Sequence, residues 1–444
     1  MNRWLVALLI ALALIRLLSP GIVGRLAEKN IDRSLARVDL ENENLAIESQ
    51  RFERGWFTSE GRHRIELTSG ALADAVRADE ASGAPAIVVE TRVDHGIVPL
   101  SSMGRERGSL NPALASAVSR LTLERGDGDA VDFPGRVYTF VGLTGATTYR
   151  FLLDPGSDVA GNTRTSWQSA DLSAAVSADG RERSLQGTID GPVVIEAFDV
   201  ATRIGPVSID SFTDRGAHPL GEGHLSFELE SLRMSDVQAE DLLIGPLSVA
   251  SRRAIDDGRV SGRIEFRLEA ERAVDGGPLD VGFVLDYADL DANRVKDAMD
   301  AIRRSVADSI GARRLPAKPR ADGLLIRLAA GGGSAELKDL VVELPDGAWQ
   351  MNATVSIEPS PDVTSSADWA SLLLSTTARV DARISDSLFQ RMTVTSPDLQ
   401  SAVAGGFLVR RDDGYEIEAL LDGGRVTVNG APVADIAALF GAPR

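Results

Sequence analysis

Three patterns of apolar and polar positions follow one another along this chain. From Trp4 to Leu18 nearly every residue is apolar, and Arg16 is the one internal charge. From Gly24 to Val38 the pattern loosens into a helical stripe of Leu26, Ile31, Leu35 and Val38. From Leu45 onward it alternates with a period of two, which predicts strands with one buried and one solvated face.

The first run predicts a membrane helix. Its fifteen residues span only about 22 Å at ~1.5 Å per residue, short of a hydrocarbon core of about 30 Å. Continuing through Pro20, Gly21, Ile22 and Val23 closes most of that gap and brings Arg16 toward the far interface, where its stem can snorkel. A cleaved signal peptide competes with this reading. Its small-x-small site should follow the apolar run, whereas Ala11-Leu12-Ala13 lies inside it. Residues 1–23 are therefore expected as an uncleaved transmembrane or signal anchor, and residues 24–44 as a helical stalk. Arg25, Lys29, Arg33 and Arg37 follow the anchor while only Arg3 precedes it, so the positive-inside rule by itself puts the large part in the cytoplasm.

The alternation is clearest in two stretches. Ile87, Val89, Thr91 and Val93 share one face, and Val88, Glu90, Arg92 and Asp94 the other. Ile264, Phe266 and Leu268 likewise oppose Arg263, Glu265, Arg267 and Glu269. Three turns join neighbouring strands: Asp275-Gly276-Gly277-Pro278, Pro345-Asp346-Gly347 and Asp422-Gly423-Gly424. Glycine and aspartate there supply the positive φ that tight hairpins demand. The fold class expected is mainly β, an N-terminal transmembrane helix followed by an elongated, twisted antiparallel sheet with a few short helices. One helix is expected after Asp291 or Asn293 as cap, with Val295, Met299, Ile302, Val306 and Ile310 at spacings of three and four. Asp386–Met392 and Val433–Phe440 are expected as two more. The basic, proline-bearing stretch from Arg313 to Arg320 marks an internal boundary, so residues 45–312 and 313–444 are expected as two parts of one β-rich domain. Ile204-Gly205-Pro206-Val207-Ser208-Ile209 recurs as Ile244-Gly245-Pro246-Leu247-Ser248-Val249, which fits either a stacked repeat or coincidence in a hairpin-rich chain.

Composition narrows the chemistry. The net charge is −18, from 65 acidic against 47 basic residues, so nucleic acid is not an expected partner. There is no cysteine, which excludes thiolate nucleophiles, disulfides and cysteine-based metal sites and suits an oxidising compartment. Phosphate-loop, zincin and hydrolase-elbow motifs are absent. Gly331-Gly332-Gly333-Ser334 lacks the following lysine-bearing helix of a phosphate cradle and fits a hairpin loop. His63, His95, His218 and His224 lack metal-ligand spacing, although His218 and His224 flank one turn and could face each other across it. Asp289-x-Asp291-x-Asn293 opens like a calcium loop, but Arg294 stands where the turn needs glycine, and helix capping explains the same residues. Asp127, Asp129 and Asp132 form a turn cluster without a closing ligand. With so many dispersed carboxylates, no glycosidase pair can be singled out. Neither a cofactor nor an enzymatic activity is expected.

The densest aromatic cluster is Arg51-Phe52-Glu53-Arg54-Gly55-Trp56-Phe57-Thr58-Ser59-Glu60-Gly61. With the preceding anchor and stalk, it resembles the opening of the YdgA-like proteins, bacterial envelope proteins with a domain of unknown function. Thr91-Arg92-Val93-Asp94-His95-Gly96 is similar to that family's strand ending in His-Gly-Pro, with Ile97-Val98 intervening here before Pro99. Val426-Thr427-Val428-Asn429-Gly430 also looks familial. The resemblance implies a single-pass inner-membrane protein with its large part in the periplasm. It also implies an architecture similar to AsmA-like proteins, in which curled strands form an apolar, lipid-carrying groove. An aliphatic face that binds phospholipid acyl chains is one expectation, and a filled core fits the same alternation. A structural adaptor or assembly factor docking another envelope protein is the alternative, and an envelope hydrolase stands behind both. Arg54, Gly55, Trp56, Phe57 and Ser59 are expected as a structural signature. In it Gly55 permits a turn, Trp56 and Phe57 cover the end of the sheet, and Arg54 stacks on a ring or pairs with a carboxylate.

Overall fold

A computed structural model describes residues 45–55, 58–68, 86–95, 113–124, 130–160, 163–197, 200–216, 218–236, 239–272, 277–311, 328–359, 369–396 and 398–435. The anchor, the stalk, the Arg313–Arg320 stretch, Trp56 and Phe57 lie outside them. Among the described residues no helix is long and apolar enough to cross a membrane. The chain is mainly β, and its strands pair antiparallel, as the period of two demands. It divides into two compact units.

The first unit takes in residues 1–156, 168–189 and 306–317. Its strands are β1 (Leu45–Arg54), β2 (Thr58–Leu67), β3 (Ala86–His95), β4 (Ala113–Glu124), β5 (Ala130–Gly142) and β6 (Thr147–Leu153), joined by β9 (Ala170–Val176) and β10 (Glu182–Ile189). β7 (Gly156–Ala160) and β8 (Thr163–Trp167), between them in the chain, group chiefly with the second unit. The eight strands pair in the order β1-β2-β3-β4-β5-β6-β9-β10. Because directly opposed residues share a face, the register sorts the side chains. Ser59, Val93, Ala117, Thr139, Tyr149, Ala174 and Leu185 form one row. Val93, Ala115 and Ala117 are its buried centre, packed with Leu114 and Val141. The opposite face carries Arg62, Glu90, Arg120 and Arg136 in another row.

In the second unit β11 (Val193–Ala197) and β12 (Val200–Ile204) lead to β13 (Val207–Asp214), β14 (Glu222–Leu229) and β15 (Leu232–Asp236). β16 (Ala239–Asp256), β17 (Arg259–Arg272) and β18 (Leu279–Asp291) are the long central strands. The helix α1 (Ala292–Gly311), which groups with this unit as far as Ser305, β19 (Gly333–Leu344), β20 (Gly347–Ile357) and the helix α2 (Trp369–Leu374) follow. Next come β21 (Thr376–Ser385), the helices α3 (Asp386–Thr395) and α4 (Asp398–Ala404), and the strands β22 (Val409–Arg411), β23 (Gly414–Asp422), β24 (Arg425–Val428) and β25 (Ala431–Asp435).

The Gly-Pro repeat has a structural meaning. β16 pairs through its first part with β15 and through its second with β14, so those two short strands lie end to end along one long one. Ile204 and Ile244 both oppose Leu232, and Leu229 is flanked by Val207 and Leu247. Three interruptions therefore stand side by side: Gly205-Pro206, Glu230-Ser231 and Gly245-Pro246. Proline has no N–H to give the ladder, and the local bonds compensate. The Gly205 amide donates to the Ser231 carbonyl at 2.7 Å, and the Glu230 amide to the Pro206 carbonyl at 2.9 Å. Gly191-Pro192 is a third copy of the step, packed against Gly205 and Pro206. It precedes Val193, which opposes Ile204.

Two of the expected turns close their hairpins, and the third, Asp275-Gly276-Gly277-Pro278, lies partly outside the described residues. Leu344 opposes Gly347 around Pro345-Asp346, and Asp422 opposes Arg425 around Gly423-Gly424, both at positive φ. The expected helix begins at Ala292, and Asp291 rather than Asn293 caps it: Asp291 Oδ1 accepts the Asn293 and Arg294 amides, each at 3.0 Å. Asp386–Met392 is helical as expected, within α3. Of Val433–Phe440, Val433, Ala434 and Asp435 belong instead to the strand β25, which pairs with β24, and residues 436–440 lie outside the described residues. The cause is the Asn429-Gly430 turn, both residues at positive φ, which folds the chain back as a hairpin before a helix can start.

Gly245 offers a direct test of the interruption line. Its φ is +142°, and a Cβ there would collide with the Glu230 carbonyl oxygen. We predict that Gly245→Ala lowers unfolding free energy by about 1–3 kcal/mol, the range of a strained non-glycine conformation. A urea melt with an unchanged midpoint would contradict it.

Candidate functional site

The signature stretch forms the β1–β2 hairpin. The Gly55 amide donates to the Thr58 carbonyl at 2.8 Å, and a Cβ on Gly55 would strike that same oxygen. Arg54 is exposed and stands opposite Ser59, which is almost completely buried beside Val93 on β3. The structure thus brings Arg54, Gly55 and Ser59 together at one end of the first unit's sheet, with Trp56 and Phe57 outside the described residues.

The histidines are scattered. His63 is buried on the inner face of β2, its Nε2 close to Gly61. His95 stands on β3 opposite Ala115. His218 and His224 do not meet: His218 Nε2 lies 3.1 Å from Asn293 Oδ1, whereas His224 stacks on Phe212 and lies 3.3 Å from Asp210. Asp291 is occupied as a helix cap, and Asp132 accepts from Thr122 Oγ1, while Asp127 and Asp129 lie outside the described residues. Gly331 and Gly332 close a turn into β19, and the Gly331 carbonyl accepts from Arg259. Among the described residues no three His, Asp or Glu side chains converge as a metal-binding group.

What the second unit does present is a continuous apolar surface. Through paired strands, Ile209, Phe227, Val249, Phe266 and Phe283 stand in one row. The row continues, past a bulge at Asp339, through Leu340, Met351, Ala382 and Ile417. A parallel row runs Val207, Leu229, Leu247, Leu268, Val281, Val342, Trp349, Ile384 and Tyr415. Phe266 and Phe283 stack with ring centroids 5.3 Å apart. None of these residues is buried: all are half-covered except Trp349, which is exposed. One end is capped, for Phe389 of α3 is buried and stacks on Tyr415 with centroids 3.9 Å apart.

The opposite face of the same strands is a charge lattice. Lys338 reaches Glu336 at 2.9 Å and Asp286 at 3.0 Å, and hydrogen bonds to these carboxylates, Glu336 first, hold its ammonium above the usual lysine range. Arg379 joins Asp381 at 2.8 Å and Glu418 at 2.9 Å, and the Asp381 hydrogen bond raises its guanidinium likewise. Such exposed pairs add little stability individually. Their consequence is orientation: the charged face stays solvated and the aromatic rows lie on the opposite face.

The first unit carries a different feature, a concavity of about 730 Å³ on its charged face. Arg51, Arg62, Arg92, Arg120 and Arg136 line it together with Glu53, Glu60, Glu90 and Asp94. Nothing in the sequence signals this grouping, since the residues come from five strands.

The sequence comparisons add one assignment. Residues 1–434 match the family model described as "Bacterial protein of unknown function (DUF945)". A search of curated proteins and a search of solved structures each find no match. The matched span is most of the chain, which therefore belongs to that family.

The cap on the apolar surface is testable. We predict that Phe389→Ala destabilises the protein by about 3–5 kcal/mol, the usual penalty for emptying a buried phenylalanine site. Thermal unfolding followed by circular dichroism measures it, and a loss below about 1 kcal/mol would show that α3 does not seal Tyr415.

Proposed function

We propose that this member of a bacterial family of unknown function is a non-enzymatic, membrane-anchored envelope protein that holds phospholipid acyl chains against the apolar face of β13–β21. One observation carries the reading: two parallel rows of aromatic and aliphatic side chains cross these strands without a buried member. A soluble domain gains about 25 cal/mol for each Å² of apolar surface it removes from water, so a surface of this extent favours an apolar ligand. Acyl chains suit it because the rows are continuous and lack the polar groups that orient a small polar substrate. The apolar run at residues 4–18 supports an anchor in the inner membrane, a source of such chains. The resemblance to YdgA-like proteins, and through them to AsmA-like proteins with an elongated, twisted sheet, supports it as an analogy of architecture. The periplasm is the compartment proposed, and no cofactor takes part.

Native mass spectrometry of the detergent-purified full chain should show bound phospholipid. Phe266→Glu and Phe283→Glu should each reduce that occupancy at least about tenfold, since a buried carboxylate meets acyl chains without a partner. A folded wild-type protein free of lipid would overturn the reading and leave the adaptor role. Compartment has a separate measurement. A phosphatase fused after Arg444 should be active, because that enzyme works only outside the cytoplasm, and an inactive but intact fusion would place the large part inside.

A further inference from the structure

We infer that Arg120 and Arg136, in the concavity on the first unit's charged face, form a binding site for a phosphate-type oxyanion. The two arginines stand directly opposite each other on β4 and β5. Residues opposed in this way have Cβ atoms about 4.5–5.5 Å apart, and like charges there repel. A register shift creates the arrangement. Leu121 pairs with Phe133 but Arg120 pairs with Arg136, so Pro134 and Gly135 are skipped. Without that bulge Arg120 would face Pro134. Bulges commonly re-aim a side chain next to a functional site.

Glu90 stands opposite Arg120 on β3, but the carboxylates near the pair lie within ion-pair distance of other arginines. Arg51 bonds Glu53, Arg62 lies 3.8 Å from Glu90, and Arg92 lies 3.9 Å from Asp94. Arg120 and Arg136 are both exposed, and neither has a carboxylate within ion-pair distance among the described residues. On the second unit's charged face, by contrast, Arg263, Arg267, Arg379 and Arg383 all reach a carboxylate. Two planar guanidinium forks side by side match a tetrahedral oxyanion, each able to give two N–H donors to two oxygens. Val118 is the one aliphatic residue in the lining. A chain of net charge −18 repels anions over most of its surface, so affinity for phosphate needs a local site of this kind. The phosphate can be free or carried by a lipid headgroup, and the chemistry of recognition is the same for both.

The test uses the full chain with two probes, inorganic phosphate and vesicles of phosphatidylglycerol in phosphatidylcholine. Phosphate should raise the melting temperature of the wild type and bind in calorimetry, with affinity falling as salt is added. Arg120→Gln and Arg136→Gln should each weaken binding at least about tenfold, the equivalent of one charge-assisted hydrogen bond. Without phosphate they should melt at or above the wild type, since like-charge repulsion is relieved, a gain that a merely structural arginine would not show. Arg120→Lys should keep part of the affinity, and Arg411→Gln, on the second unit, should keep all of it. Binding of inorganic phosphate identifies a free anion as sufficient. Arginine-dependent binding to the vesicles alone identifies the headgroup. The inference is overturned if neither probe binds, or if Arg411→Gln weakens binding as much as Arg120→Gln and Arg136→Gln. Either failure leaves the acyl-chain reading to its own measurement, because that surface belongs to other strands.

Discussion

Register across the interrupted strands is the constraint on which the second unit depends. Because side chains alternate with a period of two, a slip of one residue would carry Phe227, Val249 and Phe266 to the wet face. The slip is prevented where the strands break. Gly205-Pro206, Glu230-Ser231 and Gly245-Pro246 stand side by side, with amide-to-carbonyl bonds between the first two. Gly245 packs against the Glu230 carbonyl so closely that no side chain fits. The break line is therefore a register pin: each strand is measured from it, and the apolar rows on its far side fall in line.

From that alignment follows a division of labour between faces. Arginine, lysine and carboxylate side chains interleave on one face of β16–β21 and β23, where each pair contributes little energy but keeps the surface solvated. On the other face the aromatic and aliphatic rows run unbroken from β13 to β23, covered at one end by Phe389 of α3. An ordinary antiparallel sheet of this kind packs against helices or a second sheet. Here the long rows are half-covered among the described residues, which is the feature the proposed acyl-chain ligand would complete.

The first unit solves the same problem with smaller side chains. Val93, Ala115 and Ala117 make a thin buried centre, and Ser59 and Ser119 are buried on the same face. Among the described residues its buried centre is made of small side chains rather than a row of rings. Its distinguishing property lies on the outer face, where a bulge in β5 sets two arginines against each other.

Much of this was legible in the residues alone. The period of two in Ile87–Asp94 and Val260–Ala270 determined which side chains share a face, because a pleated strand leaves no other geometry. Gly423-Gly424 determined its hairpin through positive φ torsions that few other residues adopt, and Pro345-Asp346 its own through proline's fixed φ at the first turn position. Asp291 capped its helix for a reason equally local, a carboxylate within reach of free amides. At Val433–Asp435 the helical spacing yields to a strand, because the Asn429-Gly430 turn just before it folds the chain back onto β24. What only the tertiary structure decided is which strand lies beside which. The Gly-Pro copies become one line only once β14 and β15 lie end to end against β16, and Arg120 meets Arg136 only through a bulge that skips two residues. Pairing between strands is set by long-range register, and no local propensity encodes a distance across the sheet.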